Sequence, residues 1–128
     1  MKRVVIESPY RGHGAREVEA NVDYARECLL DSLKREEAPI ASHLLYPQVL
    51  DDDSPVGRRM GMDAGWAWIE AAELLVVYTD RGISQGMKGA IGKAEKRGVE
   101  VEYRQLYATG EEGEKNVKAQ RDVLRPCP

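Results

Sequence analysis

Two short segments hold most of the residue types that could do chemistry. Ser8-Pro9-Tyr10-Arg11-Gly12-His13-Gly14 places a hydroxyl, a stackable ring, a guanidinium fork and an imidazole close together, with two glycines that permit close backbone approach. Thr79-Asp80-Arg81-Gly82-Ile83-Ser84-Gln85-Gly86 follows the unbroken apolar run Leu74 to Tyr78 and leads into a helix-compatible segment from Met87. A turn with Gly and Ser between a buried strand and a helix leaves backbone N–H groups facing an anion, for which phosphate is the natural guest. The same composition also serves as a plain capped turn, so its meaning depends on what stands beside it.

The elements that must position these segments are legible as alternating patterns. Arg3 to Glu7 is a β-branched run ending at Ser8-Pro9, suited to a first strand whose carboxyl end opens into the first loop. From Arg16 to about Glu36 the spacing of Val18, Val22, Ala25, Leu29 and Leu33 predicts an amphipathic helix. Ala38 to Ser42 is a weaker strand, and Pro47 discourages helix at Tyr46, which sets His43 just past a strand end. There a histidine is placed for substrate, or simply bonds a nearby carbonyl.

Ser54-Pro55 supplies the N-cap and first position of a helix running to Ala72. Its glycines Gly57, Gly61 and Gly65 recur every four residues and allow close approach to the sheet or to a second copy of the chain. Trp66 and Trp68 then divide between core and a partner subunit, or both pack in the core. Gly86 to Arg97 is a further helix; Gly89 and Gly92 lower its propensity by about 1 kcal/mol each, so something close must need them small. Gly98 ends it, and Val99 to Leu106 alternates apolar with Glu100, Glu102 and Arg104, as an edge strand with a charged outer face does.

The order βαβαβαβ predicts an α/β, Rossmann-like parallel sheet of four to five strands, order 2-1-3-4, with helices on both faces. Residues 1–106 form that domain; 107–128 are a tail with an acidic patch around Glu111 to Glu114 and a weak helix from Lys115 to Leu124. Strands 1 and 3 become neighbours, so both chemical loops flank one crevice at the topological switch point, with His43 nearby. Such a pocket suits a small molecule carrying a base, a sugar and phosphate.

Composition narrows the function classes. With 128 residues, 42% hydrophobic and a net charge of -3, the chain is one domain without the basic footprint of a nucleic-acid binder. Cys28 and Cys127 share no metal-ligand spacing, which indicates a reducing compartment and no structural metal. Asp51-Asp52-Asp53 lacks the spaced ligands of a calcium loop and is read as a solvated turn. No apolar run approaches membrane-spanning length and no signal peptide leads the chain, so a soluble, cytoplasmic protein with no membrane partner is expected.

Ser84-Gln85-Gly86-Met87 with Ile91-Gly92 behind it, following the apolar strand and a helix expected to end in the acidic Glu73, resembles the nucleoside 2-deoxyribosyltransferase-like superfamily, whose relatives include nucleotide N-glycosidases. The resemblance runs from Val4 to about Leu106; His43-Leu44-Leu45-Tyr46-Pro47 and Ile83 to Met87 look most like a small branch found in bacteria and phages. It implies that Ser84 and Gly86 hold phosphate or frame ribose, that Tyr10, Arg11 and Gly12 close over the ligand, and that the protein is a homo-oligomer, dimer or higher. Ser8, His13, His43, Asp80 and Met87 complete the expected ligand-binding set, and no cofactor is called for. The pattern departs from the superfamily at one place: where catalytic members carry a nucleophilic glutamate, this chain has Ala90, flanked by the equally inert Gly89 and Ile91. Cleaving an N-glycosidic bond needs a carboxylate near the anomeric carbon, for which Asp80, or Glu7 at the end of strand 1, would have to substitute.

Three functions follow as expectations. The first is a nucleotide-binding protein that senses or sequesters a nucleotide or an ADP-ribose-like signal, in a phage setting to blunt a host defence. The second is a nucleoside or nucleotide N-glycosidase or deoxyribosyltransferase using a substitute carboxylate. The third is an oligomeric interaction protein in which the glycine-striped helix serves an interface.

Overall fold

The structure is a computed structural model, and it describes residues 1–107. Cys127, the acidic patch and the helix expected from Lys115 to Leu124 lie outside the described residues. The elements are β1 Arg3–Glu7, α1 Ala15–Lys34, β2 Ala38–Ile40, α2 Ser42–Leu45 with a 3-10 turn Tyr46–Gln48, α3 Pro55–Ile69, β3 Leu74–Tyr78, α4 Gln85–Lys96 and β4 Glu100–Arg104. The sheet has four strands, all parallel, in the order β2-β1-β3-β4. This is the Rossmann-like α/β architecture, with helices on both faces.

Strand alternation divides the core in two. Val4, Ile6, Val76 and Tyr78 face Tyr24 and Cys28 of α1, while Val5, Leu75 and Val77 face Ile69 of α3 and Met87, Ala90 and Ala94 of α4. β3 is buried at all five positions, as a central parallel strand must be. α3 begins as its sequence dictates: the Ser54 hydroxyl accepts from the Gly57 N–H at 3.3 Å, and Pro55 holds the first helical position.

Several local expectations are corrected. α3 stops at Ile69, so Glu73 is not its last residue; Glu73 lies in the connection to β3 and accepts from the Arg3 N–H at 2.8 Å. The inner face of α1 is offset from the apolar stripe: Asn21, Tyr24, Ala25, Cys28 and Ser32 are buried and Leu33 is exposed. Tyr46 is αR despite Pro47, because the 3-10 turn continues directly from α2. On β4, Arg104 is buried rather than outward, where it makes paired contacts of 2.7 and 2.8 Å to Glu37 and a further bond to Glu102. A charge sinks this far only when its donors are taken up, and the guanidinium fork permits that.

The α3 glycines meet the chain's own backbone and side chains. A Cβ on Gly57 would stand 2.4 Å from the Asp51 carbonyl oxygen, and one on Gly65 would stand 2.6 Å from Ser42 Oγ. In α4, a Cβ on Gly89 would meet the Trp66 ring at 2.7 Å, whereas Gly92 has nothing within 4 Å, so close packing explains the first and not the second. Trp66 packs against the α4 side of the sheet; Trp68 is half-exposed and its indole N–H donates to the Tyr46 hydroxyl at 2.9 Å.

Candidate functional site

At the carboxyl ends of β1 and β3 the structure forms an open cavity of about 580 Å³. The residue that ends β1 forms part of its floor, the following loop forms one wall, and the start of α4 forms another. α2, its 3-10 turn and the inner side of α3 close the rest. This is where an open parallel sheet places ligands, because helices depart to opposite faces from adjacent strands.

The first loop is fixed from beneath. Gly12 lies over the Glu17 side chain, leaving no room for a Cβ, and a Glu17 carboxylate oxygen accepts the His13 N–H at 2.8 Å. Asn21 ties the loop to its neighbour: its amide donates to the Tyr10 carbonyl at 3.1 Å and accepts from Arg81 Nε at 2.9 Å. The sequence-based reading passed over Asn21, although an asparagine on the buried face of a helix is itself a signal, since it must find partners.

On the opposite wall, Ser84 caps α4, accepting from the Met87 N–H at 3.3 Å while the Met87 sulfur accepts from the Ser84 N–H. The Gln85 and Gly86 N–H groups, in the helix's first turn, have no intrahelical acceptor. Arg11 is exposed at the cavity and has no ion pair among the described residues; Arg58 is there too, 3.5 Å from Asp52. Burial and the carboxylates of Asp52 and Asp53 push the Tyr10 phenol up.

Two part-buried titratable groups lie at the floor. Ser8 Oγ is 2.7 Å from His43 Nε2, and His43 Nδ1 is buried with no partner among the described residues. Burial pushes His43 down to about 4, so the ring is neutral at neutral pH. Glu7 lines the cavity with no hydrogen bond to its carboxyl from any described residue, and burial pushes it up to about 8. Burial thus favours the protonated carboxylic acid at neutral pH.

Of the residues expected from sequence, Ser8, Tyr10, Arg11, Gly12, His13, His43, Ser84, Gly86 and Met87 all border the cavity. His43 does so from the one-turn helix α2, which begins just past β2. Asp80 does not border it. Its carboxylate accepts from the Tyr24 hydroxyl at 2.6 Å and from the Leu106 and Tyr107 N–H groups at 2.9 and 3.2 Å, which pins the end of β4 beside α1. A carboxylate so occupied holds structure, away from the cavity lining. Tyr46, Trp66, Glu17, Asp52 and Arg58 border the cavity and were not anticipated as site residues; their signals, an aromatic on a glycine-lined helix and an acidic run, read equally well as packing and solvated turn.

Residues 2–104 match the domain of unknown function DUF7768. The chain belongs to that family. The match spans β1 to β4, so every element that builds the cavity lies within the DUF7768 domain. No curated protein sequence matches the chain. Among the described residues of this DUF7768 domain no cluster of His, Cys, Asp and Glu could hold a metal ion, and no helix is long and apolar enough to cross a membrane.

Proposed function

We propose that the DUF7768 domain binds a nucleotide or nucleoside phosphate in this cavity and holds it without cleaving it, as a protein that senses or sequesters a nucleotide or an ADP-ribose-like signal. The observation that carries this reading is the meeting, in one cavity, of the open α4 N-terminus at Gln85 and Gly86, Arg11 with no ion pair among the described residues, and the rings of Tyr10, Tyr46 and Trp66. Backbone N–H groups with a guanidinium suit phosphate, and aromatic faces suit a base. Retention without turnover is supported by position 90, where the alanine is fully buried in the α4 core and brings no carboxylate to the cavity.

One observation favours a second reading, an N-glycosidase or deoxyribosyltransferase: Glu7 supplies a carboxyl to the cavity. Titrating the protein with deoxynucleoside monophosphates, the matching nucleosides and inorganic phosphate, then chromatographing each mixture, separates the two. Tight binding with intact nucleotide recovered supports retention; free base that disappears with Glu7→Gln supports the enzyme. Absence of binding by every nucleotide returns the protein to an interaction role, for which the exposed Val56, Met60 and Trp68 of α3 would supply the apolar surface.

A further inference from the structure

Carboxylates drawn in from solvent in this fold are otherwise engaged. Glu37 meets Arg104 and Ser32, Asp31 accepts from the Tyr78 hydroxyl, Asp80 holds Tyr24 and two backbone N–H groups, and Glu27 accepts from Tyr107. Glu7 alone of these lies at a cavity, at the carboxyl end of a central strand, with no donor from a described residue. A polar group left unpaired at the floor of a pocket marks what the pocket is for.

Its direction follows from strand alternation. Val5, two residues earlier, and Val77, opposite Glu7 in the β1–β3 register, both pack toward α3 and α4, so Glu7 shares that face with Trp66 and Met87. A flat ring and a thioether beside a hydrogen-bonding head are what a planar heterocycle needs.

The charges around it do not favour ionisation. α4 brings no charged side chain to the cavity, and α3 brings only Arg58, which is paired with Asp52. The first loop adds Arg11, His13 and Tyr10, α1 adds Glu17, and α2 with its following turn adds His43 and Tyr46. None of these sets the state of Glu7, which burial alone governs.

Building on the nucleotide reading above, we propose that Glu7 is the residue that reads the base: as a neutral carboxylic acid it presents an O–H donor beside a C=O acceptor, complementary to the edge of a nucleobase with an acceptor nitrogen next to an amino group. A ribose hydroxyl would be served equally well by an ionised carboxylate. A ring nitrogen is not, because it needs the proton. Binding is therefore linked to that proton, and base-bearing ligands are lost as Glu7 ionises.

Calorimetric titration of the full chain with deoxyadenosine and deoxycytidine monophosphates at pH 7 and pH 9, with ribose 5-phosphate as the base-free probe, tests this. These bases do not titrate in that interval. Nucleotide affinity is expected to fall about tenfold from pH 7 to pH 9, the loss for one group ionising near 8. Ribose 5-phosphate should show no such loss, and Glu7→Gln, which keeps a donor and an acceptor at every pH, should remove the slope. Nucleotide binding that is flat with pH, or an equal loss for ribose 5-phosphate, overturns the role of Glu7 and leaves the nucleotide reading standing. No nucleotide binding at either pH overturns both. The wild-type comparison of the three ligands decides the matter even where the Glu7→Gln protein does not fold.

Discussion

Ser8 Oγ and His43 Nε2 lie 2.7 Å apart and join the end of β1 to α2, the one-turn helix that walls the cavity. The other ring nitrogen of His43 is buried and unpartnered, so this bond is the ring's sole polar anchor among the described residues. Ser8→Ala leaves the whole imidazole unsatisfied and should destabilise the fold by about 1–3 kcal/mol, read from the midpoint of urea unfolding. An unchanged midpoint would mean that the wall does not depend on the pair.

His43 and Glu7 give the stability an unusual pH profile. Glu7 in the folded state keeps a proton that the unfolded chain releases, so stability is lost as pH rises from 4.5 to about 8. His43 refuses a proton that the unfolded chain accepts, so stability is lost as pH falls from 6.5 to about 4. Each slope is at most about 1.4 kcal/mol per pH unit, and between 4.5 and 6.5 they oppose one another. The contribution of this pair should be a plateau over that interval with a decline on either side. Unfolding by denaturant at half-unit pH steps checks it, with Glu7→Gln removing the alkaline decline and His43→Gln the acid one.

Gly86 separates folding from binding. A Cβ there meets nothing nearer than Ser84 Oγ at 4.0 Å, and the residue lies in the first turn of α4 at the cavity wall. Gly86→Ala should stabilise the ligand-free protein by about 0.5–1 kcal/mol through helix propensity. The same methyl occupies space where phosphate would approach the helix N-terminus, so nucleotide affinity should fall while the melting temperature rises. Equal affinity in the two proteins would move phosphate away from α4.

The two mid-helix glycines of α4 should respond in opposite directions. Gly89→Ala sets a methyl against the Trp66 ring and should destabilise by about 1–3 kcal/mol, whereas Gly92→Ala meets nothing and should stabilise by up to about 1 kcal/mol. Thermal unfolding of the two variants side by side measures the difference; the same sign for both would mean that the Trp66 contact yields freely.

The sequence made the sheet legible because β1 and β3 are uninterrupted apolar runs, and the βαβ order then leaves few arrangements of four parallel strands. The two loops were legible for the same reason, since strand neighbours bring their carboxyl ends together. α2 was not, because four residues carry no helical period and Pro47 argues for extension. Arg104 misled because alternation assigns a charge to the outer face, while a guanidinium reaches inward wherever carboxylates await it. Asp80 was misplaced because position in a loop says nothing of which way a short side chain turns, and here it turns to Tyr24. Glu7 ends its strand on the α3 and α4 side, and nothing in the sequence signals that its carboxyl finds no hydrogen-bond donor among the described residues there.

The wall that carries His43 is a four-residue helix and a three-residue 3-10 turn, lengths at which a helix has no standing of its own in water. Its opening is therefore a local event, faster and cheaper than unfolding of the sheet, and amide hydrogen exchange would resolve it as the first of the described elements to lose protection. The cavity lining thus joins the end of β1, the first turn of α4 and the inner side of α3 to one short wall with little stability of its own, and the proposed nucleotide capture would depend on α2 staying formed.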